Sequence, residues 1–180
     1  VIQIQANLSA HAARVGLSPV HKLKAFLAGI TASLLIHYIE VLVLISYLHF
    51  ALGIDFGTKT AFVLLTAFVG SIVGISFGAF ISALVKGDEG VKTGICIGAS
   101  MFGSFLAGMM FEGMKYIVDT KFPMIAKLNP VGVLTDSFYA LYYYDGYERY
   151  SRNLINLVIF SLVFCGVTYT VIRRQKYASI

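Results

Sequence analysis

The chain has 180 residues, 58% of them hydrophobic and 13% charged, with a mean hydropathy of +0.80 and a pI of about 9.2; soluble domains average about 45–50% apolar and about 25% charged. The apolar excess is gathered into blocks of roughly 20 residues, which excludes an ordinary soluble domain and points to an all-α integral membrane protein, since the two-residue alternation of barrel strands is missing. The net charge of +5 flanks these blocks, where it sets topology and meets anionic lipid rather than nucleic acid.

In chain order, "SAHAARVGLSPVHKLKAF" comes first, with a short basic helix expected to end at Gly16 and Ser18-Pro19-Val20 preventing its continuation. Such an element suits either a membrane surface or a soluble partner. Span A is expected over Ala25 to Phe50. It carries His37 and Glu40 near its middle, about one helical turn apart. A charge at that depth costs about 2.5–3.5 kcal/mol, so Glu40 should face protein or water, or be protonated. The pair reads equally as a polar spot on a transport path or as a structural hydrogen bond. Span B follows over Ala61 to Val85, and its Gly70, Gly74, Gly78 and Ser82 form a four-residue ladder that lets another helix approach closely. Gly94, Gly98, Ser100, Ser104 and Gly108 make a similar ladder in span C, Thr93 to Phe111, so tight packing of B on C is expected. Between B and C, "GDEGVKT" lacks the Gly-Lys-Ser/Thr ending of a phosphate loop and reads as a tight turn. Cys96 and Cys165 lie inside apolar runs and define neither a disulfide framework nor a metal site.

Residues 112–153 are too polar to span and too apolar for a free loop. Asn129 is a good N-cap and Pro130 suits the first helical position, with Val131, Leu134, Phe138 and Leu141 as one stripe and Thr135, Asp136 and Ser137 off it. A second short helix can start at Lys121-Phe122-Pro123. With Tyr139 and Tyr142 to Tyr144 at headgroup level, two half-inserted, re-entrant helices are expected before span D, Leu154 to Ile172. Four spans put segments 1–24, 86–92 and 173–180 on one side with eight Lys and Arg, against six on the other. Both ends are therefore expected in the cytoplasm and the re-entrant segment outside. The "NLS" sequon at Asn7 then lies on the cytoplasmic side and is a chance match.

Two segments resemble the membrane subunit of ABC-2-type transporters, the type V exporter fold. "ARVGLSPVHKLKAFLAGI", Ala13 to Ile30, is similar to the family's cytoplasmic coupling segment before its third span. "FPMIAKLNPVGVLTDSFYALYYYDGYERYSRN", Phe122 to Asn153, is similar to its outer re-entrant segment. The resemblance covers nearly the whole chain, although "SAHAARVG" replaces the family's usual acidic residue and Gly-Thr. It implies that two earlier spans precede this portion. It also implies a permease that is no enzyme and binds no cofactor, pairing as a homo- or heterodimer with a second permease subunit. A separate ATPase subunit would hold ATP-Mg and dock at Arg14, Ser18, Pro19, Val20 and Lys22. His37 and Glu40 would lie on the translocation path, and Pro123, Asn129, Pro130, Asp136 and Tyr139 would form an outer gate. The location implied is the cytoplasmic membrane of a bacterial cell. The competing readings are a proton-coupled secondary transporter using Glu40 and a non-transporting membrane scaffold; inverted repeats would favour the former, and A–B and C–D do not match.

Overall fold

The computed structural model describes residues 22–56 and 59–174. Among them run seven helices and no strand: α1 Lys22–Phe50, α2 Thr60–Leu84, α3 Glu89–Leu106, α4 Glu112–Lys121, α5 Pro123–Leu128, α6 Pro130–Tyr143 and α7 Glu148–Arg174. The polytopic helical class read from the sequence is the observed one. Lipid offers no partner for peptide groups, so an apolar run satisfies them within its own helix. Hydroxyls inside these helices follow the same rule. Thr66, Ser137 and Thr168, all fully buried, donate to the carbonyls of Phe62, Val133 and Phe164 one turn earlier.

Three helical stretches are long and apolar enough to cross a membrane: Leu23–Phe50, Thr60–Leu84 and Glu148–Arg173. The expected span C differs. Helix α3 has 18 residues, about 27 Å of helix, and its first turns carry Glu89 and Lys92. It ends at Leu106 rather than Phe111 because Gly108 turns left-handed at φ 82°. Gly108 N–H then donates to Phe105 O at 3.1 Å and Met109 N–H to Ser104 O at 3.1 Å, a Schellman stop. At its other end Asp88 caps α3 by accepting from Val91 N–H at 2.9 Å, so "GDEGVKT" is the turn expected.

Helices α2 and α7 run side by side in the same direction. Thr66 Oγ1 lies 3.1 Å from Tyr150 Oη, Ser76 Oγ lies 3.2 Å from Cys165 Sγ, and Phe77 and Phe80 meet Phe164. Helix α6 runs opposite to α7 and wedges against the pair, with Val69, Val73, Val133 and Leu157 closing one apolar cluster. Ala140, Leu141 and Tyr150 close another toward the α1–α2 end. Helix α1 is peripheral: Tyr38 edges onto Phe68 at 5.1 Å, yet the most apolar stretch of α1 has no buried residue.

The glycine ladders pack otherwise than expected. A Cβ on Gly70 would lie 3.0 Å from Leu134 Cδ1 of α6, whereas at Gly78 the nearest atom, Cys96 Sγ of α3, is 3.9 Å away. Gly74, Gly94 and Gly98 face open space. The long apolar partner of α2 is α7, so the tight B–C pair gives way to a seat for the re-entrant helix. Equal spacing marks a face of small residues without saying which helix will use it.

Candidate functional site: a polar cavity between the short helices and the last span

Helix α3 stops short of the α1–α2 end of the bundle, and the chain fills the gap with α4, α5 and α6. The joint lies at Gly103. Asn129 Oδ1 accepts from Val131 N–H at 3.2 Å, capping α6, and Asn129 Nδ2 donates to Gly103 O at 2.7 Å. A Cβ on Gly103 would come within 3.1 Å of Asn129 Oδ1 and 3.2 Å of Val131 Cγ2, so any side chain here would push this buried contact apart by a few tenths of an ångström. From there α6 climbs beside α7 and is fastened at its top by Lys59. The ammonium donates to the carbonyls of Leu141 and Tyr144 at 3.1 and 3.0 Å and sits 5.3 Å from the Tyr147 ring centroid. A cation at the end of a helix satisfies its last carbonyls. Helix α6 thus starts at the level of Gly103 and returns to the end it faces, as expected of a re-entrant element.

The face of α6 that packs inward is Val133, Asp136, Ser137 and Ala140, while Phe138 and Tyr139 are exposed. The expected stripe is partly turned around. Leu134 and Leu141 pack as foreseen, but Asp136 and Ser137, which fall off that stripe, also point into the protein. Asp136 is the centre. Arg149 grips it with two bonds, Nε to Oδ2 at 2.8 Å and Nη2 to Oδ1 at 2.5 Å. Asn153 Nδ2 donates to Oδ2 at 2.7 Å, and Lys115 Nζ lies 3.5 Å from Oδ1 and 3.4 Å from Asp119. Arg149 also donates to Tyr144 Oη at 2.8 Å and lies over that ring. Burial alone would raise the Asp136 pKa; the hydrogen bonds from Arg149 and Asn153, with the charges of Lys115 and Arg149, outweigh it and hold the carboxyl below its ordinary value.

This network forms one wall of a cavity of about 840 Å³. Pro123, Asn129 and Asp136 line it, together with Lys115, Lys127, Arg149 and Arg152. Pro130 opens α6 at the cavity's edge, and Tyr139 turns outward to stack on Tyr143 at 5.8 Å. The structure thus gathers three of the five expected gate residues around one space. His37 and Glu40 are not brought into it. They pair with each other at 3.6 Å and remain 47% and 69% exposed, so Glu40 faces neither the core of this chain nor the cavity. Arg14, Ser18, Pro19 and Val20 lie outside the described residues, and Lys22 is the first residue of α1. Sequence reading missed Arg149, Asn153, Lys115 and Lys59 as site residues. A signal for the first two was present: Arg149, Arg152, Asn153 and Asn156 recur at helical spacing immediately before an apolar run.

Long apolar helices with short helices packed between them define a polytopic helical membrane protein. The family model described as ABC-2 family transporter protein matches residues 3–169. The chain belongs to that family, and its membership supports a transport permease. No curated protein and no solved structure gives a significant match.

Proposed function

We propose that the chain is the membrane-spanning subunit of an ATP-driven exporter, with both ends cytoplasmic and the α4–α6 segment outward. A separate ATPase subunit binds ATP-Mg and docks on the segment from Arg14 to Lys22, and a second permease subunit completes the translocation path. Closure of the ATPase pair pushes on that segment and tilts α1. Substrate leaves past Pro123, Asn129, Pro130, Asp136 and Tyr139. The reading rests on family membership together with one observation: a re-entrant helix held by Asn129 at its base and Lys59 at its top, with a charged cavity behind it. Such an element can shift without breaking a membrane span.

The test is reconstitution of the permease with the ATPase it co-purifies with. Export into vesicles that needs ATP and continues after the proton gradient is collapsed supports the reading. Export driven by the gradient without ATP would instead assign a proton-coupled transporter. Replacing Pro19 or Lys22 should weaken ATPase capture; undiminished capture would remove the coupling assignment.

A further inference from the structure

Two polar side chains lie within the apolar part of the molecule and have no partner there. Asn156 sits inside the apolar run of α7, between Ile155 and Leu157. It is half-buried, and no described residue hydrogen-bonds its amide. Lys127 lies in the last turn of α5, two residues before the Asn129 that docks on Gly103 at the base of the re-entrant helix. It makes no ion pair with a described residue. An unpaired amide is costly in hydrocarbon, and an ammonium is costlier.

Both side chains line the cavity of about 840 Å³, so water can answer both. Among the described residues, Ser82 Oγ is the buried side-chain atom with neither a partner nor room for water beside it. The Asn156 amide is not sealed in that way, and a water-sized molecule reaches it through the cavity. Neighbouring residues of α7 meet a different medium. Ile155 and Val158 are 60% and 42% exposed without lining the cavity. At about 100° per residue they fall on another side of the helix from Asn156, where hydrocarbon is the natural contact.

The charge of the lining is uneven. Lys115, Lys127, Arg149 and Arg152 stand against Asp119 and Asp136, four basic groups to two acidic. The basic groups are spread over α4, α5 and α7 rather than gathered at one point, so they act as a field and not as a single binding spot. Low-dielectric walls focus such a field and raise the local concentration of ions of opposite sign.

We infer that this cavity is an aqueous vestibule that wets Asn156 and Lys127, and that its excess of basic groups favours small soluble anions over cations. That it opens to the outer side rests on the exporter reading above; that it holds water does not.

The test is thiol labelling of the full chain in sealed membrane vesicles, in a Cys96→Ala/Cys165→Ala background. The probes are two membrane-impermeant methanethiosulfonates, one bearing a sulfonate and the other a trimethylammonium group, with rates taken relative to a free thiol in solution. Asn156→Cys should react with the sulfonate reagent about tenfold or more faster than Ile155→Cys or Val158→Cys, because the thiolate is the nucleophile and apolar surroundings suppress it. At Asn156→Cys the sulfonate reagent should outpace the trimethylammonium reagent by about tenfold, the lower end of electrostatic focusing. Lys127→Gln and Arg152→Gln should each reduce that ratio, as should added salt. Phe160→Cys, about one turn further along the cavity face, should follow the same pattern more slowly and replaces Asn156→Cys if that variant folds poorly. Labelling no faster than at the two lipid-facing controls overturns the vestibule and leaves a cavity filled by lipid. A charge ratio near one, or one indifferent to both glutamine variants, overturns the preference for anions. Fast labelling from the cytoplasmic side alone would uphold the vestibule and overturn its outward opening, and the exporter topology would fail separately.

Discussion

Helices α1 and α6 each carry one acidic residue in apolar surroundings, and they treat it in opposite ways. Asp136 on α6 is only 13% exposed and has Arg149, Asn153 and Lys115 around it. Glu40 on α1 is 69% exposed and has one histidine. A carboxylate is taken out of water only where its lone pairs and charge are answered. Helix α6 can do this because α4 and α7 converge on it with three donors. Helix α1 touches α2 through a strip near Tyr38, and no donor from another described helix faces Glu40. The contrast separates a polar group built into the fold from one left at its edge.

The sharpest way to break this comparison is Asp136→Ala. It strands the Arg149 guanidinium, and the cost should be about 2–3 kcal/mol, below the roughly 3–5 for a fully buried pair because Arg149 is partly open. Unfolding in a denaturing detergent, with Arg149→Ala and the double variant, measures it; additive losses would mean that the pair is not coupled. The same pair predicts a pH profile. A carboxyl whose folded pKa is depressed contributes stability above its unfolded value, about 3.9, and loses it as pH falls through the folded pKa. The wild type should therefore keep this contribution from neutral pH down to about 4 and lose it below. A loss centred near pH 6 would contradict the lowered pKa.

Gly103→Val should come next, at about 2 kcal/mol, because it pushes Asn129 and Val131 away and uncaps α6. Gly94→Ala, where nothing lies within 4 Å, should be neutral or slightly stabilising by helix propensity. Equal effects at the two glycines would show that α6 does not dock as described. Lys59→Met should cost about 1 kcal/mol by leaving two carbonyls at the end of α6 without their donor. Hydrogen exchange at Tyr142 to Tyr144 should rise as the end loosens. Smallest of all, Glu40→Gln should change the stability of the isolated chain by less than about 0.5 kcal/mol. A loss as large as that of Asp136→Ala would erase the distinction between the two helices.

The legible and illegible parts divide along residue type. Asn129 and Pro130 announced the start of α6 because a cap and a helix-ready φ act within a few residues. The choice of inward face was not legible. An apolar stripe in a soluble helix points to the core, but in a membrane segment Phe138 and Tyr139 can face lipid while Asp136 and Ser137 face protein. Period locates a stripe; it does not name the solvent. The stop of α3 was recoverable from Gly108, which lies inside the apolar run and so was read as part of a packing ladder. Lys59 gave no signal, since its partners are backbone carbonyls more than eighty positions away.

By itself the sequence determined that the chain is helical and lies in a membrane, and that α6 begins after Asn129. These follow from hydropathy summed over a run and from chemistry between near neighbours, which do not depend on the rest of the fold. Tertiary structure alone decided that α2 packs along α7, that Gly70 seats Leu134 of α6, and that Arg149 and Lys115 reach Asp136 over a cavity. Those outcomes depend on which helix ends short and which donors meet in the space it leaves, and no local preference encodes that meeting.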